Sequence, residues 1–390
     1  MIVGFSGLQF LRETLVAAAY DPESLKRLLG ITYSDDVGLL NHAPALERVA
    51  GDRSAAATLT RLLFLEADEP RRNVAAVWSR RDCATLIRLG VLRQHAGRLR
   101  ARLRIDPIGE QYFMADTRFR RNDRRAAHLP DGDAVYPPSS DSVMLRDAVG
   151  TQAAARILDL CTGSGVQALQ QAPHADRVVA VDINARAVAM ARLNAQLNGV
   201  GNVDVRCGDL YAPVRGEQFG LIIANPPFVS SPYVTAPSYH SGGPSGDRVL
   251  RRVIAGLGSH LADGGRAFAI SHVAIRVGAN LEAVAARWFR EFPGRALVLV
   301  LETGTPVDLA AAQSLFALAR GLSAYAKEVR RWIEYLRRHR IGSIALILVV
   351  AQRGDRRGVE VVDAQPRVLP LPLSPPLAKR IDEWFGANRR

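Results

Sequence analysis

Cysteine is nearly absent: Cys83, Cys161 and Cys207 are the only three in 390 residues. An odd number of scattered thiols excludes a disulfide framework and a cysteine-rich structural zinc site. No cluster of other ligand types has metal-binding spacing either, so no metal is expected. Long apolar runs are missing too. The longest, 344–351, is far too short to span a bilayer. Residues 1–20 are partly apolar, but they lack a basic leader and are interrupted by Arg12 and Glu13, so they do not read as a signal peptide. No membrane partner is expected, and a cytoplasmic location is the simplest reading. Lysine is scarce as well. Only Lys26, Lys327 and Lys379 occur, so the net charge of +13 rests almost wholly on arginine. A basic surface favours nucleic acid or other acidic partners. A GC-rich coding sequence produces the same arginine and alanine bias without any functional demand. The two readings weigh equally.

What is present is an ordinary globular composition, 48% hydrophobic and 23% charged. The length suits two domains, with cores large enough to fold without staples. Residues 1–125 read as a separate, smaller α+β unit. Helices are expected over 8–19, 22–29 (stopped by Gly30), 55–66, 74–78 and 81–89. Short strands over 91–93, 99–105 and 111–115 follow the turn residue Gly90 and surround Gly97. Helices followed by strands around a glycine turn give a winged-helix-like pattern. Such modules serve as nucleic-acid readers, dimerisation platforms or inert caps. Residues 118–125, RFRRNDRR, read as a linker. Residues 126–390 then alternate strands (157–160, 178–181, 203–206, 221–224, 267–271, 296–301 and 343–351) with helices, the pattern of a doubly wound α/β sheet. The proline-rich tail 365–376 reads as extended.

The strongest local feature is the run I-L-D-L-C-T-G-S-G from Ile157 to Gly165. A buried strand enters a glycine turn and then a helix. Gly163 and Gly165 are expected to clear room for the backbone to approach a ligand. Asp182 ends the next strand, where an acid accepts hydrogen bonds from both hydroxyls of a ribose. A nicotinamide dinucleotide fits the acid spacing, but the glycine spacing is not G-x-G-x-x-G. The choice is settled by Asn225-Pro226-Pro227-Phe228, directly after the strand 221–224. This is the carboxyl end of a central strand, where open α/β sheets bind ligands. The Asn225 side-chain carbonyl and the Pro226 backbone carbonyl can both accept from one amino group. Phe228 can stack on the flat group that bears it.

With these motifs in this order, residues 134–272 resemble the class I S-adenosylmethionine-dependent methyltransferases of the small, N-P-P-[FY] type. That family includes enzymes acting on glutamine in release factors and ribosomal proteins, and on exocyclic amines in RNA. The resemblance implies a Rossmann-like sheet and S-adenosyl-L-methionine as cofactor. Residues 136–142 (YPPSSDS) resemble the segment that closes over the cofactor, and so implicate Asp141 and Ser142. Asp159, Cys161, Gly163 and Gly165 resemble the first cofactor motif. Asp182 resembles the ribose acid, with Ile183 beside the adenine, and Asp209 and Leu210 resemble the adenine-edge segment. Asn225, Pro226 and Phe228 resemble the catalytic loop, Asn225 also bordering the cofactor. Two departures stand out. Cys161 replaces the usual first glycine, and Phe228 replaces the tyrosine common in glutamine-modifying members, which leans toward the RNA guanine type.

The reaction implied is methyl transfer to a planar amino or amide nitrogen, on a macromolecule (an rRNA base or a protein glutamine). The alternative is a small-molecule or natural-product methyltransferase whose N-terminal unit is a lid or dimer interface. A binding module without catalysis is disfavoured by the intact loop. His174, His240, His260 and His272 read as structural or exposed. The stretch 303–341 is long for a strand connection and reads as two helices, over 308–322 and 323–340. In the second, Tyr325, Val329, Trp332, Ile333 and Leu336 share one face, with Arg330, Arg331, Arg337 and Arg338 elsewhere. Core packing and solvation account for most of these residues. The insertion is nevertheless expected to leave the sheet on the ligand edge and to wall the substrate pocket, opposite the Phe228 loop. The loop 229–246 is expected to complete the mouth.

Overall fold

A computed structural model describes residues 5–33, 36–118, 133–233, 242–364 and 376–387. The linker 118–125 beyond Arg118, the boundary at 125/126 and the tail 365–375 lie outside the described residues, as does the middle of the loop 229–246.

Helices α1 (Phe5–Ala17), α2 (Pro22–Leu29), α3 (His42–Val49) and α4 (Ala55–Leu59) come first, α4 continuing as a π-helical turn over Thr60–Phe64. They precede β1 (Glu69–Pro70), α5 (Arg71–Val74), α6 (Arg80–Arg88), β2 (Leu92–His95), β3 (Arg98–Ala101), β4 (Leu103–Ile108) and β5 (Gln111–Asp116). Local chemistry sets the punctuation. Asp21 accepts from the Ser24 N–H to cap α2, Pro22 opens it, and Gly30 closes it in the left-handed region at φ 67°. Ser79 and Asp82 form a reciprocal capping box on α6. The helix expected over 74–78 is displaced to the single turn α5, after which the chain turns and buries Trp78. Helix α3 was not anticipated. Its N-cap, Asn41, makes no capping hydrogen bond, so its start carries little local signal. Strands β1, β3 and β2 form a three-stranded antiparallel sheet, and β4 and β5 a separate hairpin. The region is α+β.

The rest of the chain contains α7 (Ser140–Val149), β6 (Arg156–Leu160), α8 (Val166–Gln171), β7 (Arg177–Asp182), α9 (Ala185–Leu197), β8 (Val203–Cys207) and β9 (Phe219–Ala224). Next come α10 (Arg248–His260), β10 (Leu261–Arg276), α11 (Leu281–Trp288), β11 (Gly294–Gly304), α12 (Pro306–Ser314), α13 (Leu322–Arg338), β12 (Ile341–Arg353), β13 (Gly358–Asp363) and α14 (Pro376–Ala387). Eight strands form one Rossmann-like sheet in the order β13-β11-β12-β10-β9-β6-β7-β8. Strands β8, β7, β6, β9 and β10 are parallel, and β12 runs against both β10 and β11. All seven strands expected from the sequence are present. The eighth, β13, is a half-exposed edge strand parallel to β11. Its thin burial explains why its apolar signal is weak. The order reverses at β6, which has β7 on one side and β9 on the other. This is the topological switch point, where the ends of three strands open a crevice. Among the described residues no helix is long and apolar enough to cross a membrane.

The two regions share a core. Ala187, Met190 and Leu197 of α9 pack in the same apolar cluster as Leu8, Leu11 and Tyr112 of the N-terminal region. Two amides four residues apart, Asn194 on α9 and Asn198 at its C-cap, add a polar clamp. Asn198 accepts from the Tyr112 N–H at 2.8 Å and donates to the Tyr112 carbonyl at 2.8 Å. Asn194, fully buried, does the same for Met114, at 2.8 and 3.0 Å, and also donates to the Ser164 carbonyl at 2.8 Å. Tyr112 and Met114 point their backbone groups the same way because strand residues alternate. The two amides therefore satisfy one edge of β5 as a neighbouring strand would.

Candidate active site

Asp159 lies near the end of β6, 1% exposed, and accepts from the Thr162 hydroxyl at 2.5 Å and the Ala168 N–H at 3.0 Å. Burial pushes its carboxyl up to about 7, and the nearby Asp182 adds to the rise. The turn that follows is left-handed at Cys161 (φ 58°), Gly163 (φ 54°) and Gly165 (φ 89°). That conformation explains why a glycine suits position 161 and why cysteine there is strained. The two glycines do different work. A Cβ on Gly163 would meet nothing within 4 Å, so the turn presents an open face there. A Cβ on Gly165 would come within 3.2 Å of the Ala191 Cβ on α9. Gly165, besides the room it is expected to clear for a ligand, lets the turn pack closely against α9.

Asp182 ends β7. One carboxylate oxygen accepts from the Gly163 N–H at 2.9 Å, and the other from the Asn184 N–H at 2.9 Å. Burial raises its carboxyl above the ordinary range. Beside it Ile183 is 61% exposed, an apolar surface left uncovered. Leu210 is buried in left-handed backbone (φ 49°), and the neighbouring Asp209 forms an ion pair with Arg252 of α10 at 2.7 Å. The Cys161 thiol lies within electrostatic reach of Asp159, Asp182 and Asp209. Burial and these three carboxylates hold it protonated. The acids expected from the sequence therefore converge on one crevice. An open glycine face, a ribose-type acid and an exposed aliphatic side chain suit the amino-acid, sugar and base portions of a nucleoside-bearing cofactor.

Asn225 follows β9 directly, and its amide NH2 donates to the Asp141 carboxylate at 2.9 Å. Asp141 stands in the first turn of α7. Its second oxygen accepts from the Ser142 N–H at 2.9 Å and from the Ser139 hydroxyl. An ionised carboxylate only accepts, so this contact fixes the amide's orientation and turns the Asn225 Oδ1 away from Asp141 as a free acceptor. Asp141, expected on the cofactor, thus also meets the side chain of Asn225. Phe228 stacks on His272 of β10, with ring centroids 4.8 Å apart and planes at 26°. Burial lowers the imidazole pKa, opposed by the charges of Asp141 and Glu302. His272 thus lies beside the loop, a position its isolated place in the sequence did not reveal. Gly242 and Gly246 pack against the backbone of Phe228. A Cβ on Gly242 would lie 2.7 Å from the Phe228 Cα, and one on Gly246 would lie 2.5 Å from the Phe228 carbonyl.

The insertion leaves β11 at the edge where Asp159, Asp182 and Asn225 stand. Helix α13 then packs onto the continuation of the Asn225 loop. Tyr233 donates its hydroxyl to Glu328, sits under the Arg331 guanidinium at 4.3 Å and meets Trp332 edge-on at 6.4 Å. Burial, followed by the hydrogen bond to Glu328, pushes the Tyr233 hydroxyl up to about 12. A side-chain hydrogen bond links Tyr335 and Ser230. Trp332 is 1% exposed and donates its indole N–H to Glu328 at 3.1 Å, so it is core. The helix therefore adjoins the Phe228 loop rather than standing opposite it.

Residues 140–287 match the family model described as methyltransferase small domain, and residues 17–102 match a domain of unknown function, DUF7059. A putative protein N5-glutamine methyltransferase of Methanocaldococcus jannaschii is 34% identical over 137 residues, which cover 34% of this chain and 68% of that protein. The chain belongs to the methyltransferase small domain family. Two further relatives are named for glutamine. A release factor glutamine methyltransferase of Xylella fastidiosa is 39% identical over 122 residues, 28% of this chain and 44% of that protein. A ribosomal protein uL3 glutamine methyltransferase of Bradyrhizobium diazoefficiens is 38% identical over 123 residues, 28% of this chain and 39% of that protein. The chain thus spans less than half the length of these two relatives. Within this family S-adenosyl-L-methionine is the methyl donor.

Proposed function

We propose that the chain is an S-adenosylmethionine-dependent N-methyltransferase whose acceptor is the side-chain amide of a glutamine in a protein. The observation that carries this reading is the Asn225–Asp141 pair, which leaves the Asn225 Oδ1 free beside the Pro226 carbonyl and Phe228. When bound, the cofactor supplies an electrophilic methyl group on a sulfonium. Asp182 and Ile183 would hold its nucleoside end, with Asp209 and Leu210 at the adenine edge. Asp159 and the open face of Gly163 would hold its amino-acid end. An amide nitrogen is a poor nucleophile because its lone pair is delocalised. Asn225 Oδ1 and the Pro226 carbonyl accept its two hydrogens, orient it and raise its electron density. Phe228, backed by His272, covers the amide plane.

The names of the relatives support an amide over a base amine. Phe228 in place of tyrosine favours an RNA guanine amine and defines the competing outcome. We also read 1–125 as an accessory domain and 126–390 as the catalytic domain carrying the insertion 303–341. The family matches at 17–102 and 140–287 support that division. The small sheet following helices supports a winged-helix-like accessory domain, and the core it shares with α9 argues against a hinged lid. A cytoplasmic location completes the proposal. The test is tritiated-methyl transfer to a cell lysate fractionated into protein, RNA and small molecules. Label is expected in protein, as N-methylglutamine by mass spectrometry. Asn225→Ala should lower turnover by about 10²-fold or more with cofactor affinity unchanged. Label confined to RNA, or to small molecules, would overturn the glutamine reading.

A further inference from the structure

Helix α13 carries a feature that the methyl transfer does not use. Its inward side is committed: Trp332 and Leu336 are core, and Glu328 is buried between Tyr233 and Trp332. Its outward side exposes Lys327, Arg330, Arg331, Arg337 and Arg338, with Arg320 just ahead of it. Arg320, Lys327, Arg330 and Arg331 line a groove of about 490 Å³, with Glu334 as its exposed acid. Among the described residues none of these six cations forms an ion pair. Several arginines elsewhere (Arg156, Arg177, Arg206, Arg252, Arg266 and Arg353) are paired with a carboxylate. Arg80, Arg81, Arg88 and Arg93 of the N-terminal region are exposed and form no ion pair among the described residues, so what sets α13 apart is its clustering beside the acceptor loop. Like charges at helical spacing repel one another; one exposed carboxylate, Glu334, offsets part of this repulsion, and an arriving polyanion would relieve the rest. From Lys327 to Arg338 the helix rises roughly 16 Å, enough to face several successive phosphates. The helix also lies against Ser230 and Tyr233, so the cationic face flanks the mouth through which an acceptor reaches Asn225.

We propose that the outward face of α13 docks the phosphate backbone of RNA beside the acceptor site. The contacts are electrostatic and read no base sequence. Which atom receives the methyl group does not enter this inference, so it stands or falls separately from the glutamine reading. A protein glutamine held in a ribonucleoprotein would satisfy both.

The experiment is fluorescence anisotropy of the full chain with a labelled RNA hairpin across a salt series. Lys327→Glu, Arg330→Glu, Arg337→Glu and Arg338→Glu are introduced together; Arg331 is left intact because it covers Tyr233. The variant should bind the hairpin at least about tenfold more weakly. Its log K against log salt should be shallower by roughly 3, the loss expected for four phosphate contacts. An unchanged melting temperature and unchanged S-adenosylhomocysteine affinity would show the variant folded; if it does not fold, the same four positions changed to Gln are used. A matched variant of exposed arginines in the N-terminal region, Arg80→Glu, Arg81→Glu, Arg88→Glu and Arg93→Glu, should have a much smaller effect. RNA affinity unchanged in the α13 variant would overturn the proposal. So would equal loss in the matched variant, which would make the effect one of net charge. Polyglutamate bound as tightly as RNA would replace RNA with an acidic protein.

Discussion

The cofactor half and the acceptor half of the crevice are built over different distances in the chain. Asp159 is satisfied by Thr162 and Ala168, three and nine residues away, and Asp182 by Asn184 and Gly163, two and nineteen residues away. Asn225 takes its orientation from Asp141, 84 residues earlier. Phe228 is backed by His272 on a different strand, and Tyr233 by Glu328, 95 residues later. The first half is a set of turns between adjacent parallel strands. The second is assembled from α7, β10 and the α13 insertion. Two buried acids at the ends of adjacent strands create an electrostatic cost that a bound ligand can relieve. The acceptor half stores precision instead, because one hydrogen bond decides which end of an amide faces the substrate.

Each variant below ought to disturb one half without the other. The largest effect is expected at Asp159. Its carboxyl lies at about 7 in the fold, against an ordinary value of 3.8 that applies in the unfolded chain. Between those values the folded state keeps a proton that the unfolded state has lost. Stability therefore falls as pH rises through that window, by roughly 4 kcal/mol in all, and no further above it. Denaturant melts of the cofactor-free protein from below pH 4 to above pH 7 should show this decline, and Asp159→Asn should flatten it. Parallel pH profiles for the two proteins would remove Asp159 as the source.

A smaller effect is expected at Asp182. Asp182→Ala should weaken cofactor binding by about 1.5–3 kcal/mol, the range for charged hydrogen bonds, read by calorimetry with S-adenosylmethionine and its demethylated product. Unchanged affinity would take Asp182 out of the cofactor half. The smallest effect falls across the divide. Asp141→Asn keeps the shape but replaces an obligate acceptor with a group that also donates, so the Asn225 amide can flip. Turnover should drop about tenfold, equivalent to about 1.4 kcal/mol, while cofactor affinity holds. Weaker cofactor binding with turnover intact would return Asp141 to the cofactor half and erase the distinction.

The contrast in range also sets how much was legible beforehand. The seven anticipated strands are present because each is a short apolar run with a buried face. The half-exposed edge strand β13 is not of that kind and was missed. In the cofactor half Asp159 and Asp182 stand at the ends of β6 and β7, and Asp209 follows β8 by two residues. What could not be read there was that Gly165 also has a packing reason to be glycine, the Ala191 side chain on α9. The Arg252 partner of Asp209 was invisible because its spacing matches no local motif. In the acceptor half Asn225, Pro226 and Phe228 were legible, but their supports were not. His272 looks like any lone histidine until β10 carries it past the sheet edge onto Phe228. Gly246 looks like a loop glycine until its close approach to the Phe228 and His272 carbonyls is seen, and Gly242 likewise lies against the Phe228 backbone.

Patterns whose partners lie within a few residues were determined by the sequence alone: the strand periods, the glycine turn after β6, the acid ending β7 and the Asn-Pro-Pro-Phe loop after β9. Their geometry follows from backbone sterics and the two-residue alternation of strands, which need no knowledge of what lies across the molecule. Tertiary structure alone decided what joins distant segments. It brought Asp141 to Asn225, set α13 against Tyr233 and Ser230, and closed the edge of β5 with Asn194 and Asn198. These contacts are hydrogen bonds and packing across tens of residues. Their partners become neighbours only when the sheet orders its strands and the helices settle on its faces, so no local spacing encodes them.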